Sequence, residues 1–208
     1  MIKQKLYNMK TTIQKLWISI AMLCLSLQVS ASDFEINGVY YTITSFTELT
    51  VRASGISENV TGDVTIPSTV TFKGKELAVV AIGKWFADDN NKITSITICE
   101  GVKEIGYCAF ENCSNLLRVT MPKSLTYIGE GAFKDCSKLE KVEALGVNTI
   151  EASAFANCEN LTSCVFKSLE EIGEEAFTNC VFVSIDLPST VTTIRRGAFL
   201  IMYLEPYN

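Results

Sequence analysis

From Ile82 onward the chain repeats one phrase. The turns read IGYCAFENCSNLLRVTMPKSLTY from Ile105, IGEGAFKDCSKLEKVEALGVNT from Ile128, IEASAFANCENLTSCVFKSLEE from Ile150 and IGEEAFTNCVFVSIDLPSTVTT from Ile172. A looser first turn, IGKWF, starts at Ile82, and a partial last one, IRRGAF, at Ile194. The anchoring isoleucines step by 23, 23, 22, 22 and 22 residues. A unit that short cannot bury its own apolar face, so its copies must stack and share a core. The period therefore specifies a solenoid.

Each position of the repeat has a physical role. Phe86, Phe110, Phe133, Phe155, Phe177 and Phe199 are read as one slot, preceded by Ala in every turn but the first, where Trp85 stands there. A ring beside a methyl group, once per turn, predicts an interior aromatic column. Leu116, Val119 and Met121 then alternate with period two and stop at Pro122. That pattern predicts a short parallel strand, stacked about 4.8 Å from its neighbours and closed by a residue that cannot extend the ladder. The equivalent inward sets are Ile93, Ile96 and Ile98; Leu139, Val142 and Ala144; Leu161, Cys164 and Phe166; and Ile185 with Leu187. The Ala-Phe piece is expected to form one helical or 3₁₀ turn on the opposite side of the coil, so the fold class reads as α/β.

Three segments follow. Residues 1–31 carry four lysines, an apolar run from Leu16 to Leu27 and a Val-Ser-Ala ending, the pattern of a secretory signal peptide. Leu23 before Cys24 argues against a lipidation site, which wants a small side chain there. Residues 32–81 break the period and alternate around Asn37-Gly38 and Lys73-Gly74, which predicts hairpins and a β-rich cap over the first coil. Residues 82–208 form the solenoid, five coils and a partial sixth. Its last residues, LIMYLEPYN, supply no complete strand, from which a weak tendency to self-associate through that end is expected.

Composition removes whole classes of function. There is no His in the chain, so Ser-His and Cys-His catalysis and imidazole metal sites are excluded. Without the leader, 14 basic and 23 acidic residues remain, a balance unsuited to nucleic acid. No membrane span is expected once the leader is gone. Cys113, Cys136, Cys158 and Cys180 recur three residues after the Phe, one per turn and never as C-x-x-C. They read as an interior packing ladder in preference to a metal or redox column, and no cofactor is expected. Cys164 stands where other strands have Val, while Cys99 and Cys108 lie off the ladder and are the candidate reactive thiols.

The I-G-x-x-A-F-x-x-C-x-x-L-x-x-V-x-[LM]-P pattern, with the D-F-E-I-N-G-V-Y-Y opening, resembles the BspA-like leucine-rich repeat proteins of Bacteroides-type bacteria. The resemblance implies a right-handed leucine-rich-repeat solenoid, secreted or on the cell surface, engaged in adhesion to host matrix proteins or to other cells. It carries no catalytic motif. The candidate partner-binding face is the outward strand column Thr65, Thr97, Thr120, Glu143, Val165 and Asp186, with Arg118, Glu140 and Lys141 beside it. The pairs Glu170-Glu171 and Glu174-Glu175 read as solubilising charges, since a regular solenoid has no cleft to hold them across a substrate. The expected function is a non-enzymatic protein-binding module. The alternatives are a periplasmic or surface structural subunit and a carbohydrate-binding protein.

Overall fold

The computed structural model describes residues 33–182 and 185–200, so the signal-peptide expectation and the tail expectation for 201–208 lie outside it. Strands are numbered in chain order. The first six are β1 (Phe34–Ile36), β2 (Val39–Ser45), β3 (Thr50–Ile56), β4 (Gly62–Ile66), β5 (Thr69–Phe72) and β6 (Lys75–Ile82). The repeat then alternates two kinds. The longer ones are β7 (Ile93–Ile98), β9 (Arg118–Thr120), β11 (Lys141–Ala144) and β13 (Ser163–Phe166). The two-residue ones are β8 (Glu104–Ile105), β10 (Tyr127–Ile128), β12 (Thr149–Ile150), β14 (Glu171–Ile172) and β15 (Thr193–Ile194).

Each coil contributes one strand to each of two parallel ladders. The longer strands, with β4, form a five-stranded sheet in the order β13-β11-β9-β7-β4. This is the ladder that the Leu-x-x-Val-x-Met pattern predicts, and its inward residues Ile96, Val119, Val142 and Cys164 are buried in register. The second ladder runs β3-β6-β8-β10-β12-β14-β15, through Ile82, Ile105, Ile128, Ile150, Ile172 and Ile194. Two residues per strand are too few to show an alternation in sequence. The anchoring isoleucines are its inward side chains, and those from Ile82 to Ile172 are fully buried.

The antiparallel part lies at the N-terminal end. β1 and β2 join through Asn37-Gly38, and β5 and β6 through Lys73-Gly74. In both two-residue turns both φ angles are positive, as a type I′ hairpin requires. β3 and β4 also serve as the first rungs of the two ladders: Ala53 pairs with Ile82, and Ile66 with Ile98.

The third side of the coil corrects the expected fold class. No helix occurs among the described residues, so α/β gives way to an all-β solenoid and the helical turn to an arc of tight turns. Two left-handed residues per coil are the cause: Cys108 and Asn112, Gly131 and Asp135, Ser153 and Asn157, Glu175 and Asn179 all have φ between 46° and 62°. A right-handed helix cannot pass through such residues. Along the arc the backbone N–H groups alternate. Those of Ala109, Glu111 and Cys113 close local turns onto residues three back, whereas those of Cys108, Phe110 and Asn112 donate to Glu130, Ala132 and Lys134 of the next coil. The peptide unit that carries each forward N–H carries the carbonyl that accepts from the coil before. Three columns of head-to-tail amides therefore run along the solenoid, with N···O distances of 2.7–3.1 Å from Trp85, Ala87 and Asp89 to Arg196, Ala198 and Leu200. This forward bonding satisfies donors that a helix would satisfy internally.

The aromatic column lies under this arc. Phe110, Phe133, Phe155, Phe177 and Phe199 stack with centroids 5.1–5.3 Å apart and planes within 9°. Phe86 does not share their slot. By the amide register Ala87 aligns with Phe110 and Phe86 with Ala109, so the first coil carries the pair in reverse order. Its ring meets Phe110 edge-on at 67°. The spacing already held this signal: Phe86 to Phe110 is 24 residues, whereas Ile82 to Ile105 is 23.

Candidate functional site

The residues of the predicted face lie in register on one sheet surface. Thr65, Thr97, Thr120, Glu143 and Val165 pair in sequence along the longer-strand sheet, and Asp186 bridges to Val165. Arg118 pairs with Lys141 in the neighbouring outward column, and Glu140 lies one residue before β11. All of these side chains are exposed, because strand alternation turns them away from the buried Val119 and Val142. Arg118, Thr120, Glu140, Lys141 and Glu143 surround a shallow depression of about 280 Å³ whose apolar lining includes Leu117 and Met121. None of these four charges forms an ion pair among the described residues. Charges of both signs beside an apolar floor suit a protein partner, although no aromatic side chain stands in the column.

The cysteine ladder is interior. Cys113, Cys136, Cys158 and Cys180 are buried, and each thiol donates at 3.1 Å to the carbonyl of Ala87, Phe110, Phe133 or Phe155 in the preceding coil. In the regular coils that carbonyl already accepts the N–H of its own coil's cysteine, so the thiol takes the second lone pair. Burial pushes the thiols of Cys136, Cys158 and Cys164 well up and that of Cys180 up to about 12. They stay protonated and unreactive at neutral pH.

Cys108 is not a reactive thiol either. It is buried in a left-handed turn, and burial, followed by a hydrogen bond to Glu111, raises it to about 12. Cys99 is half-buried beside the end of β7. The paired acids do not converge on a cleft. Glu171 forms an ion pair with Arg195, while Glu170, Glu174 and Glu175 are exposed.

The exposed aromatics escaped the sequence reading. Trp85 is 51% and Tyr107 45% exposed, with centroids 5.6 Å apart and rings perpendicular at 89°. Both sit where the anchoring isoleucine strand enters the arc. Trp85 occupies the left-handed slot that other coils fill with Cys, Gly, Ser or Glu, a contrast visible once the first coil is aligned by its isoleucine.

Comparison with known proteins agrees with this architecture. A leucine-rich cell surface protein from Faecalibacterium prausnitzii has 25% identity over 80% of this chain and 51% of its own, with a TM-score of 0.59. A leucine-rich repeat protein from Bacteroides ovatus has 30% identity over 82% of this chain and 53% of its own, with a TM-score of 0.58. One from Bacteroides capillosus has 26% identity over 65% of this chain and 99% of its own, also with a TM-score of 0.58. The chain thus spans about half the length of the first two. No curated protein matches it. The model of the BspA-type leucine-rich repeat region matches six copies over residues 82–204, more than half of the chain. With the ordered recurrence of the repeat and its two parallel ladders, this places the chain in the BspA-type leucine-rich repeat family.

Proposed function

We propose that the protein is a secreted, surface-displayed, non-catalytic module that binds a protein partner through the face of its longer-strand sheet, and that adhesion to host or other cells is its role. The observation that carries this reading is the group Arg118, Glu140, Lys141 and Glu143, charges of both signs around an apolar depression and with no ion pair among the described residues. Charges left unpaired on a rigid sheet are available to steer and orient a partner. The surface location of the Faecalibacterium relative supports the setting.

The test is to cross-link the full chain to intact host cells, identify what it captures, and measure the affinity of that partner. Reversing Arg118→Glu and Lys141→Glu together is expected to weaken binding at least tenfold, with most of the loss in the association rate. A captured partner that binds equally well after reversal of Arg118, Glu143 and Asp186 would rule out this face.

A further inference from the structure

The amide columns need an end, and the N-terminal one is closed at only one of its three acceptors among the described residues. In a regular coil the carbonyls at the positions of Tyr107, Ala109 and Glu111 accept from Trp85, Ala87 and Asp89 of the coil before. The equivalent carbonyls of the first coil belong to Lys84, Phe86 and Asp88. The segment linking β3 to β4 is too short to build an arc, since only residues 57–61 separate Ile56 from Gly62. Of the three acceptors, Phe86 takes the N–H of Ile56 at 3.1 Å, and those of Lys84 and Asp88 take no donor among the described residues. The missing arc leaves a notch of about 370 Å³ lined by Gly55, Glu58, Trp85, Ala87, Asp88 and Lys92.

Its chemistry is acceptor-rich. Asp88 forms no ion pair among the described residues, and partial desolvation and the charges of Asp89 and Glu111 raise its carboxyl above its ordinary value. The two cations at the rim already show what the site accepts. The ammonium group of Lys84 lies 4.7 Å from the Trp85 ring centroid, and that of Lys92 donates at 2.8 Å to the Glu58 carbonyl. Trp85 and Tyr107 stand perpendicular, so they offer no common flat platform for a sugar ring. A planar, multi-donor cation fits better, because it can lie on an indole face while donating to carboxylate and carbonyl oxygens.

We propose that the notch between the cap and the first coil is a second docking site, which takes an arginine side chain on an extended segment of a partner protein. The site is separate from the strand face, and its partner is recognised through Trp85, Asp88 and Glu58.

The full chain carrying Trp17→Phe has Trp85 as its single tryptophan, so its emission reports on the notch directly. The probe is a blocked eleven-residue peptide with three arginines, compared with the same peptide carrying citrulline. Saturable change in Trp85 emission is expected with the arginine peptide, with binding at least tenfold weaker for citrulline and for the double variant Glu58→Gln with Asp88→Asn. Glu143→Gln, which removes one charge from the strand face, is expected to leave this binding unchanged. The proposal is overturned by equal binding of the two peptides, by no response of Trp85, by an equal loss in Glu143→Gln, or by an emission change elicited only by oligosaccharides. The strand-face reading fails or stands separately, through the charge reversals at Arg118 and Lys141.

Discussion

The ladder cysteine of the four regular arcs does two jobs that smaller or more polar residues would divide. Cys136 fills interior volume beside the stacked rings and donates its thiol hydrogen to the Phe110 carbonyl. Cys136→Ala removes both contributions and is expected to cost about 1–3 kcal/mol in urea unfolding. Thiol labelling checks the same environment: at pH 8 under native conditions Cys113, Cys136, Cys158 and Cys180 should be inert to a disulfide reagent and react only after denaturation. Their slot was legible in the sequence because it recurs three residues after Phe. The identity of the acceptor was not, since it depends on which carbonyl of the previous coil keeps a spare lone pair. Trp85 was misread for a related reason: a residue next to Phe was assumed to share the place of Ala, and only the amide register reveals the one-residue offset.

At the level of the element, the coil is shaped by where the backbone can turn. Left-handed φ angles at Cys108, Ser153 and Glu175 are held by forward bonds to the next coil and not by any preference of those residue types. The helical or 3₁₀ turn expected for the Ala-Phe piece therefore gives way to tight turns, because tertiary bonding sets these φ angles. The parallel strand of each coil, by contrast, was legible from its own alternation, because one face is buried. A tighter place occurs after β11, where Leu145-Gly146 replaces the Pro-Lys-Ser of the preceding coil. A Cβ on Gly146 would overlap the Lys123 carbonyl oxygen and press on that of Leu125 at 2.8 Å. Gly146→Ala should therefore force two coils apart, at a cost of about 1–3 kcal/mol. An unfolding midpoint unchanged by Gly146→Ala would show that the coil spacing gives way freely there.

The molecule as a whole is a stack in which the four coils starting at Ile105, Ile128, Ile150 and Ile172 bury ionisable thiols, and this makes its stability sensitive to alkali. Cys136, Cys158, Cys164 and Cys180 have folded-state pKa values raised above the ordinary thiol value near 8.5, and burial raises Tyr41 to about 12. Below that ordinary value both states are protonated and stability is full. Above it the unfolded chain releases protons that the folded chain retains, so stability falls by about 1.4 kcal/mol per pH unit for each such thiol until the folded value is passed. Under reducing conditions Tm should be flat from pH 6 to 8 and drop steeply between pH 9 and 11, with a shallower drop in Cys158→Val. A Tm that holds through pH 10.5 would contradict this account. At this scale the solenoid was legible from period alone. The way β3 and β4 enter its two ladders was not, because Ala53 replaces the anchoring isoleucine and the inserted β5–β6 hairpin disguises the period.

The head-to-tail amides of the arc also give that side of the stack an electrical axis. Each column repeats the arrangement found along an α-helix, where aligned peptide dipoles of about 3.5 D add from end to end. Parallel strand ladders alternate in direction and contribute little. Within the arc the three columns point the same way, every forward N–H toward the C-terminal coils and every accepting carbonyl back toward the cap, whereas at the isoleucine corner the N–H groups of Gly106, Gly129 and Gly173 point back to the carbonyls of Ile82, Ile105 and Ile150. The arc side is thus polarised along the stack, with its negative end at the Trp85 notch, and the isoleucine corner carries the reverse polarity. Every coil added to such a stack would extend both sets of columns, so it is the end carbonyls of the arc, not repeat number, that make the cap end attractive to a cation.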